Sequence, residues 1–475
     1  MTLSQFISTI DDIAWGPVML ILLVGTGFYL SFRMGFLQFT RIPYWWKNTA
    51  GKLLHKHEAG EGEVTPLQAL TTALAATVGT GNIAGVTGAI FIGGPGAVFW
   101  MWVAALVGMM TKYSEVVLAV RYRERNAKGD WVGGPMYYIK NGLGKNWAWL
   151  GGVFCILAAL AAFGIGNATQ VQSIADAINN AIDSFTPNAA ATFQFLGSPV
   201  RITTFIVGII VAIIVALVLF GGIKRIGQVT EKLVPFMAVV YIVAALAVII
   251  VNIGQIGKVF GMIFQGAFSP DAAIGGVFGI TVLTSMKKGV GRGCFSNEAG
   301  LGSAPIAHAA TSETDPVRQG LYGIFEVFMD TIVICTLTSL TVLTVYSAGG
   351  IDITWGSGGN GSNVAAAMST VFGSKLGAVI IAVCLSLFAL STILSWSLYG
   401  TRCFEYLFGV KATKVYQALF ICFVIIGATM SLADAWNLAD ALNGFMAIPN
   451  LIALLALSGV TIKLTREHME ANAKK

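Results

Sequence analysis

Long apolar stretches alternate with short polar segments along almost the whole chain. The apolar core of a bilayer takes about 20 helical residues, and eleven of these stretches are long enough to cross it. They lie at residues 14–32, 66–92, 95–120, 149–178, 202–220, 233–252, 273–310, 319–346, 365–398, 413–430 and 440–462. The pattern predicts an all-α polytopic membrane protein with eleven transmembrane helices in a single domain over residues 1–475.

The composition is typical of a membrane protein and excludes an ordinary soluble domain. Of the 475 residues, 56% are hydrophobic and 11% are charged, whereas about 25% are charged in a typical soluble domain. The net charge of +6 could suggest nucleic acid, but the basic residues lie in alternate loops and form no basic face for phosphate. We therefore expect contact with the lipid bilayer and none with nucleic acid, and no pattern identifies a protein partner.

The distribution of Lys and Arg among the loops predicts the orientation, because cytoplasmic loops are enriched in basic residues. One set of alternate loops and the tail carry Arg33, Arg41, Lys47, Lys52, Lys56, Arg121, Arg123, Arg125, Lys128, Lys140, Lys145, Lys224, Arg225, Lys232, Arg318, Arg402, Lys411, Lys414, Lys463, Arg466, Lys474 and Lys475. The opposite loops carry Arg201 and Lys258. We predict an outside N-terminus and a cytoplasmic C-terminus in the cell (inner) membrane. No basic residue precedes the first stretch, unlike in a signal or transit peptide.

Motifs of enzymes and metal sites are missing from the sequence. The six cysteines form no CxxC pair and lie mostly in apolar stretches, as small buried hydrophobes do. The four histidines have no metal-ligand spacing. Because GxxxxGK[ST], HExxH and a nucleophile elbow are all absent, we expect no enzyme, no cofactor and coupling to an ion gradient rather than to ATP.

The second apolar stretch is interrupted by Gly79, Thr80, Gly81 and Asn82. Glycine weakens a helix, and in lipid every freed backbone N–H and C=O needs a partner. A break is tolerated where it faces protein, water or ligand, and it then offers amides to an anion and carbonyls to a cation. Close helix packing is the alternative, because small residues also line transmembrane interfaces.

The seventh stretch contains a second interruption at residues 289–305, GVGRGCFSNEAGLGSAP, with Arg292 and Glu298 at membrane depth. Ionisable groups at such depth are costly and usually face a cavity or a partner. Counted from residues 66–92, this stretch is the sixth, so the two breaks open successive groups of five. That spacing predicts an inverted five-plus-five repeat, and the pair of breaks favours a binding site over packing.

Polar residues inside other apolar stretches are further candidates. Ser391 and Thr392 are adjacent hydroxyls, with Trp396 one turn on. Such hydroxyls either bond a carbonyl of their own helix or act as oxygen ligands of an alkali cation. Asn167 and Gln170 can hydrogen-bond a polar solute or a neighbouring helix.

Asp330 is a carboxylate flanked by apolar residues. An ion-pathway group and a buried structural pair are equally open for it, since intramembrane carboxylates occur in both settings.

Several segments resemble the alanine/glycine:cation symporters, also called the sodium:alanine symporter family. GGPGAVFWMWVAALVG at residues 93–108 matches the signature of that family. Further similar segments are ATVGTGNIAGV, GGPMYY, AAFGIGN, CFSNEAGLGSAPIA and NGFMAIPNLI. The resemblance runs nearly end to end and implies sodium-coupled symport of alanine, and of glycine as well, by alternating access.

The resemblance also implies a leucine-transporter-type fold, an inverted repeat of five plus five helices with one extra N-terminal helix. Residues 14–32 would form the extra helix, residues 66–252 the first repeat and residues 273–462 the second. Residues 463–475 would form a cytoplasmic tail.

A small neutral amino acid would bind at the two breaks. The resemblance implies that the amides of Gly79, Thr80, Gly81 and Asn82 take its carboxylate. Gln170 would contact the amino acid, and Trp396 would close the side-chain pocket. The remaining lining would come from Phe295, Ser296, Asn297 and Glu298.

Sodium is the coupling ion that the resemblance implies. Its ligands would be the carbonyls of Ala75, Val78 and Phe388 and the hydroxyls of Ser391 and Thr392.

Two alternatives remain at this point. The proton could replace sodium, carried by Glu298 or Asp330, because intramembrane carboxylates serve as proton relays. A receptor that binds an amino acid and signals is the other, but it needs a large cytoplasmic output domain, and the longest cytoplasmic loops have about 30 residues.

Overall fold

The computed structural model describes residues 3–52, 59–60, 62–186, 191–195, 198–268, 281–429 and 433–473. Helices dominate these residues. The N-terminal group is α1 Leu3–Ala14, α2 Pro17–Arg33, α3 Leu37–Thr40 and α4 Ile42–Asn48. The next group is α5 Pro66–Thr77, α6 Ala84–Gly93, α7 Gly96–Arg121, α8 Pro135–Tyr138, α9 Ala148–Phe163, α10 Thr169–Phe185, α11 Ile202–Leu219, α12 Gly222–Val251 and α13 Ile256–Phe268.

The second half of the chain is helical as well. It comprises α14 Val282–Asn297, α15 Ala304–His308, α16 Pro316–Val327, α17 Thr336–Ser347, α18 Gly361–Phe372, α19 Ser374–Phe408, α20 Thr413–Thr429, α21 Ala433–Phe445, α22 Ala447–Ala456 and α23 Ser458–Ala473. Single turns of 3-10 helix lie at Ala50–Lys52, Thr80–Asn82, Lys145–Trp147, Ile253–Gln255 and Val410–Ala412.

Two short antiparallel hairpins lie between helices. One pairs β1 Glu124–Arg125 with β2 Trp131–Val132. The other pairs β3 Thr192–Phe195 with β4 Ser198–Arg201, with Phe193 opposite Val200.

Three wider, π-helical segments interrupt the regular helices, at Ile139–Leu143, Gly164–Ala168 and Phe328–Cys335. The second joins α9 to α10, and the third joins α16 to α17. Such segments free backbone carbonyls and turn side chains out of the regular helical rows, and they are common at functional sites.

The outer helices have the inverted distribution of a membrane protein. Ile213, Leu217 and Val243 on α11 and α12 are each more than half exposed, whereas Lys112 and Glu326 are completely buried. Exposed apolar side chains around buried polar ones are expected where lipid surrounds the protein and function lies inside.

Nine helical segments of the described part are long and apolar enough to cross a membrane, and the bent pair α5–α6 is a tenth. The pair α14–α15, which carries the second break, does not pass the same test. The predicted number of eleven crossings is therefore not confirmed, although the multi-pass helical architecture is.

Two predicted boundaries need correction. Residues 365–398 do not form one span, because α18 ends at Phe372 and α19 starts at Ser374. Gly373 between them has φ +80°, a left-handed conformation that glycine adopts readily and that ends a helix. In the predicted stretch 273–310, residues 273–280 lie outside the described residues, and the rest is divided between α14 and α15.

Candidate functional site

The first helix break has a well-defined geometry. Helix α5 begins with a capping box, in which Thr65 and Gln68 satisfy each other's backbone N–H. It ends at Thr77, and α5 and α6 meet at an angle of 56°. Gly79 between them is extended, and its N–H donates to Asn82 Oδ1 over 2.8 Å. The Asn82 side chain thus closes the turn that the glycines open.

Gln170 lies against the first break. Its Oε1 accepts a hydrogen bond of 3.0 Å from the Thr80 hydroxyl. Its Nε2 donates over 2.9 Å to the carbonyl of Ile165 in the π-helical segment, and this carbonyl also accepts from the Thr169 hydroxyl over 2.8 Å. A Cβ at Gly79 would lie 2.5 Å from Thr392 Oγ1 and 3.6 Å from Gln170 Oε1. Only glycine allows this approach of the break to its neighbours.

The second break begins where α14 ends at Asn297. Glu298 has φ +55°, and Gly300 and Gly302 also have positive φ before α15 begins. Among the described residues, Phe36 is the one other non-glycine residue with positive φ. Backbone strain of this kind is costly for a residue with a Cβ and is concentrated at functional positions.

Asp330 connects the two breaks. Its Oδ1 accepts from Asn82 Nδ2 over 2.6 Å and from Ser296 Oγ over 3.2 Å. Its Oδ2 accepts from the Thr331 hydroxyl over 2.7 Å. Asn297 donates to that same hydroxyl over 3.2 Å. The residue whose role the sequence left open thus lies, fully buried, between Asn82 of the first break and Ser296 of the second.

Glu298 and Trp396 form another contact between the second break and α19. Trp396 Nε1 donates to Glu298 Oε1 over 3.1 Å, and the Ser303 hydroxyl donates to Glu298 Oε2. A Cβ added at Gly166 would overlap the Cβ of Trp396. The indole is therefore packed between the π-helical segment that precedes Gln170 and the second break.

The predicted sodium ligands lie between α5 and α19. Ser391 Oγ lies 3.2 Å from the Ala75 carbonyl oxygen and 2.8 Å from that of Phe388. Thr392 Oγ1 lies 3.0 Å from each of these two oxygens. The structure thus brings four of the five predicted ligands together. Val78 ends α5 with its N–H bonded to Leu74, and the structure gives its carbonyl no hydrogen bond to either hydroxyl.

A cavity of about 650 Å³ reaches the two breaks from the side of the N-terminal helix. Gly85, Phe295, Arg292 and Asp440 line it. The Arg292 guanidinium lies 4.7 Å from the centroid of the Phe295 ring. Of the residues predicted to bind the amino acid, Phe295 alone lines this cavity. Its ring therefore lies at the boundary between the cavity and the predicted amino-acid site.

Sequence reasoning missed a cluster of fully buried charged residues. The Lys112 ammonium lies 3.3 Å from Glu326 Oε1, and Glu326 Oε2 lies 3.1 Å from His308 Nε2. Lys112 and Glu115, three residues apart within the apolar stretch 95–120, were the available signal.

Glu115 ties α7 to the second break. Its Oε1 accepts from the backbone N–H groups of Gly300 and Gly302 over 3.0 and 3.1 Å. It also accepts from Asn450 Nδ2 over 2.5 Å. The positive φ angles of the two glycines direct their amides to one carboxylate oxygen.

A sequence model of the sodium:alanine symporter family matches residues 1–475. The sodium/alanine symporter AgcS of Methanococcus maripaludis is 45% identical over 99% of this chain and 98% of its own length. An uncharacterized transporter of Haemophilus influenzae is 43% identical over 99% of this chain and 97% of its own length.

The fold is also similar to that of solved structures. The crystal structure of MhsT in complex with L-phenylalanine has a TM-score of 0.60 and 14% identity, and the alignment covers 86% of this chain and 99% of that chain. This similarity confirms the predicted leucine-transporter-type fold.

Proposed function

The chain belongs to the sodium:alanine symporter family, and from that membership we propose how its two helix breaks carry out transport. It is a multi-pass membrane transporter rather than an enzyme, and sodium-coupled symport of alanine is its function. We propose in addition where the amino acid binds, how sodium binding is coupled to amino-acid binding, and which amino acids are carried.

We assign the substrate carboxylate to the first break. The segment from Gly79 to Asn82 lies between Gln170, Thr392 and Asp330, and its Thr80 and Asn82 side chains are buried. Backbone amides at a broken helix favour an anion because their dipoles are directed at it. Ser296 and Asn297 would line the opposite side, since Ser296 is joined to Asn82 and Asp330 by hydrogen bonds.

Sodium coupling rests on one observation, the meeting of four oxygens from α5 and α19. The hydroxyls of Ser391 and Thr392 each lie within hydrogen-bond distance of both the Ala75 and the Phe388 carbonyl. Carbonyl and hydroxyl oxygens are suited to a small alkali cation that has lost part of its hydration. A sodium ion there would hold the broken helix against α19.

By holding the first break against α19, sodium would couple its own binding to the binding of the amino acid. Ordering the Gly79–Asn82 segment places its amides for the carboxylate and so raises the affinity for the amino acid. By thermodynamic linkage the amino acid then raises the affinity for sodium by the same factor. This reciprocity fits symport by alternating access.

The packing of Trp396 favours a small substrate. Its side chain is almost fully buried and fills the space between Gly166 and Glu298. Little room is left for a branched or aromatic side chain, so we extend the substrate range from alanine to glycine. We also place the protein in the cell (inner) membrane with its C-terminus in the cytoplasm, as the basic loops predict.

Uptake into proteoliposomes tests this function. Alanine and glycine should accumulate under an inward sodium gradient and not when potassium replaces sodium. Leucine, of the same charge but larger, is the matched control and should not accumulate. Accumulation of alanine under a proton gradient alone, with no sodium present, would contradict sodium coupling.

A further inference from the structure

The fully buried cluster around Lys112 has an imbalance of charge. Three carboxylates are buried around the single ammonium of Lys112: Glu326 at 3.3 Å, Glu115 three residues further along α7, and Glu298 at the second break. All four side chains are at most 3% exposed. A buried charge without a partner is strongly unfavourable. An excess of carboxylates in such a site is therefore relieved when a proton or a cation binds.

The His308 ring is engaged by groups other than Glu298. Its Nε2 lies 3.1 Å from Glu326 Oε2, and its Nδ1 lies 2.9 Å from Gln319 Nε2. Gln319 Oε1 in turn accepts from the Thr311 hydroxyl over 3.0 Å.

The other two carboxylates are held by nitrogen groups. Glu326 lies between the Lys112 ammonium and His308 Nε2. Glu115 accepts three N–H donors on one oxygen, two of them from backbone amides. None of these three donors of Glu115 can accept a proton in return.

Glu298 differs from both because one of its partners is a hydroxyl group. It receives one hydrogen bond from the Trp396 indole and one from the Ser303 hydroxyl. Within the described part of the chain, no Lys, Arg or His side chain lies at ion-pair distance from it. The Ser303 hydroxyl can accept as readily as it donates, so a protonated Glu298 has a partner without any backbone movement.

We propose that Glu298 holds a proton in the substrate-free carrier and that the ammonium group of the amino acid displaces it to solvent. This inference rests on the proposed function, which places Glu298 in the lining of the pocket. The proton and the ammonium group compete for one carboxylate, because either of them neutralises the charge of Glu298, and Lys112 is already paired with Glu326. The charged and polar groups around Glu298 are Lys112 on α7, Glu326 on α16, and Trp396 and Tyr399 on α19.

Alanine titrations in buffers of different ionisation enthalpy test the exchange. The purified full-length protein is titrated at saturating sodium in phosphate and in Tris at the same pH. The slope of binding heat against buffer enthalpy gives the number of protons released. We expect release of up to one proton per alanine, together with an alanine affinity that increases with pH.

Two variants locate the proton. E298Q should abolish the buffer dependence, while E467Q, which removes an exposed carboxylate paired with Lys463, should retain it. If wild-type protein binds alanine with the same heat in both buffers, or if E298Q binds it with the wild-type buffer slope, the exchange at Glu298 is overturned. If E298Q does not fold, a wild-type slope of zero still overturns the exchange. Absence of any alanine heat would instead contradict the proposed function.

Discussion

Asn82 Nδ2 lies 2.6 Å from Asp330 Oδ1, and both side chains are completely buried. Asn82 closes the first break and Asp330 lies in the π-helical segment between α16 and α17, so this hydrogen bond links elements 248 residues apart in sequence. Buried polar pairs of this kind behave as a unit, because removal of either partner costs the other a hydrogen bond that water cannot replace.

Alanine substitutions of Asn82 and Asp330 should therefore be strongly non-additive. We expect each single variant to weaken alanine binding and the double variant to be little worse than either one. The coupling free energy should be about 0.5–3 kcal/mol, as for residues in contact. Alanine affinities of the four proteins of this double-mutant cycle measure it. If the losses of alanine-binding free energy of the two single variants simply add in the double variant, Asn82 and Asp330 do not act together.

Thr392→Val should impair the response to sodium more than the response to alanine. The substitution keeps the shape of the side chain but removes the hydroxyl that lies 3.0 Å from the Ala75 and Phe388 carbonyls. The sodium concentration for half-maximal uptake should rise about tenfold or more, a loss of about 1.4 kcal/mol.

Ser397→Ala on the same helix is the control for this measurement, because that hydroxyl bonds the Leu394 carbonyl of its own helix. An unchanged sodium dependence in Thr392→Val would exclude Thr392 as a ligand.

Gly166→Ala should destabilise the protein through Trp396. An added methyl group would overlap the Trp396 Cβ, and overpacking of a core costs about 1–3 kcal/mol. Gly152→Ala is the matched control, because the nearest atom to its new methyl group would lie 4.0 Å away. Thermal unfolding followed by size-exclusion chromatography compares the two. Equal stability of both variants would show that Trp396 moves aside freely.

The ionised carboxylate of Asp315 stabilises the folded protein to an extent that depends on pH. Burial opposes ionisation, but the hydrogen bond and charge of His468 and the N–H groups of Val317 and Arg318 together lower the pKa of the Asp315 carboxyl below its ordinary 3.8. A lowered native pKa means that the contribution is present above the ordinary value and is lost as the pH falls through the native one. Asp315→Asn should therefore be less stable than wild type at neutral pH.

The stability gap between Asp315→Asn and wild type should narrow as the pH is lowered to about 3. Unfolding midpoints in a series of buffers measure this gap, with Glu467→Gln as a surface control. A gap that stays constant with pH would contradict the role given to the Asp315–His468 pair, whose atoms lie 2.7 Å apart.

The fold and the break positions could be predicted because both have strong local signals. The length of each apolar stretch predicts a membrane span. The glycines at positions 79 and 81 destabilise a regular helix, and they indicate the first break. The meeting of Ser391 and Thr392 with the Ala75 carbonyl was expected from the resemblance. The resemblance names the sodium ligands but gives no distances between them. In the structure, Val78 lacks the contacts that the other four have.

The buried cluster and the role of Asp330 could not be read from the sequence. Lys112, His308 and Glu326 come from three helices, and nothing in their spacing indicates that they meet. Asp330 turns toward Asn82 because a π-helical segment alters the direction of its side chain, and such segments have no sequence pattern comparable to a cap. The division of residues 365–398 at Gly373 was also missed, since one glycine inside an apolar run is compatible with a continuous span.

Titration of purified protein with alanine, in sodium and in potassium, tests the central claim most directly. If sodium braces the first break against α19, alanine should bind at least about tenfold more tightly in sodium, and sodium should bind more tightly by the same factor when alanine is present. Equal alanine affinities in the two salts would contradict direct coupling of the cargoes through the oxygens of Ala75, Phe388, Ser391 and Thr392.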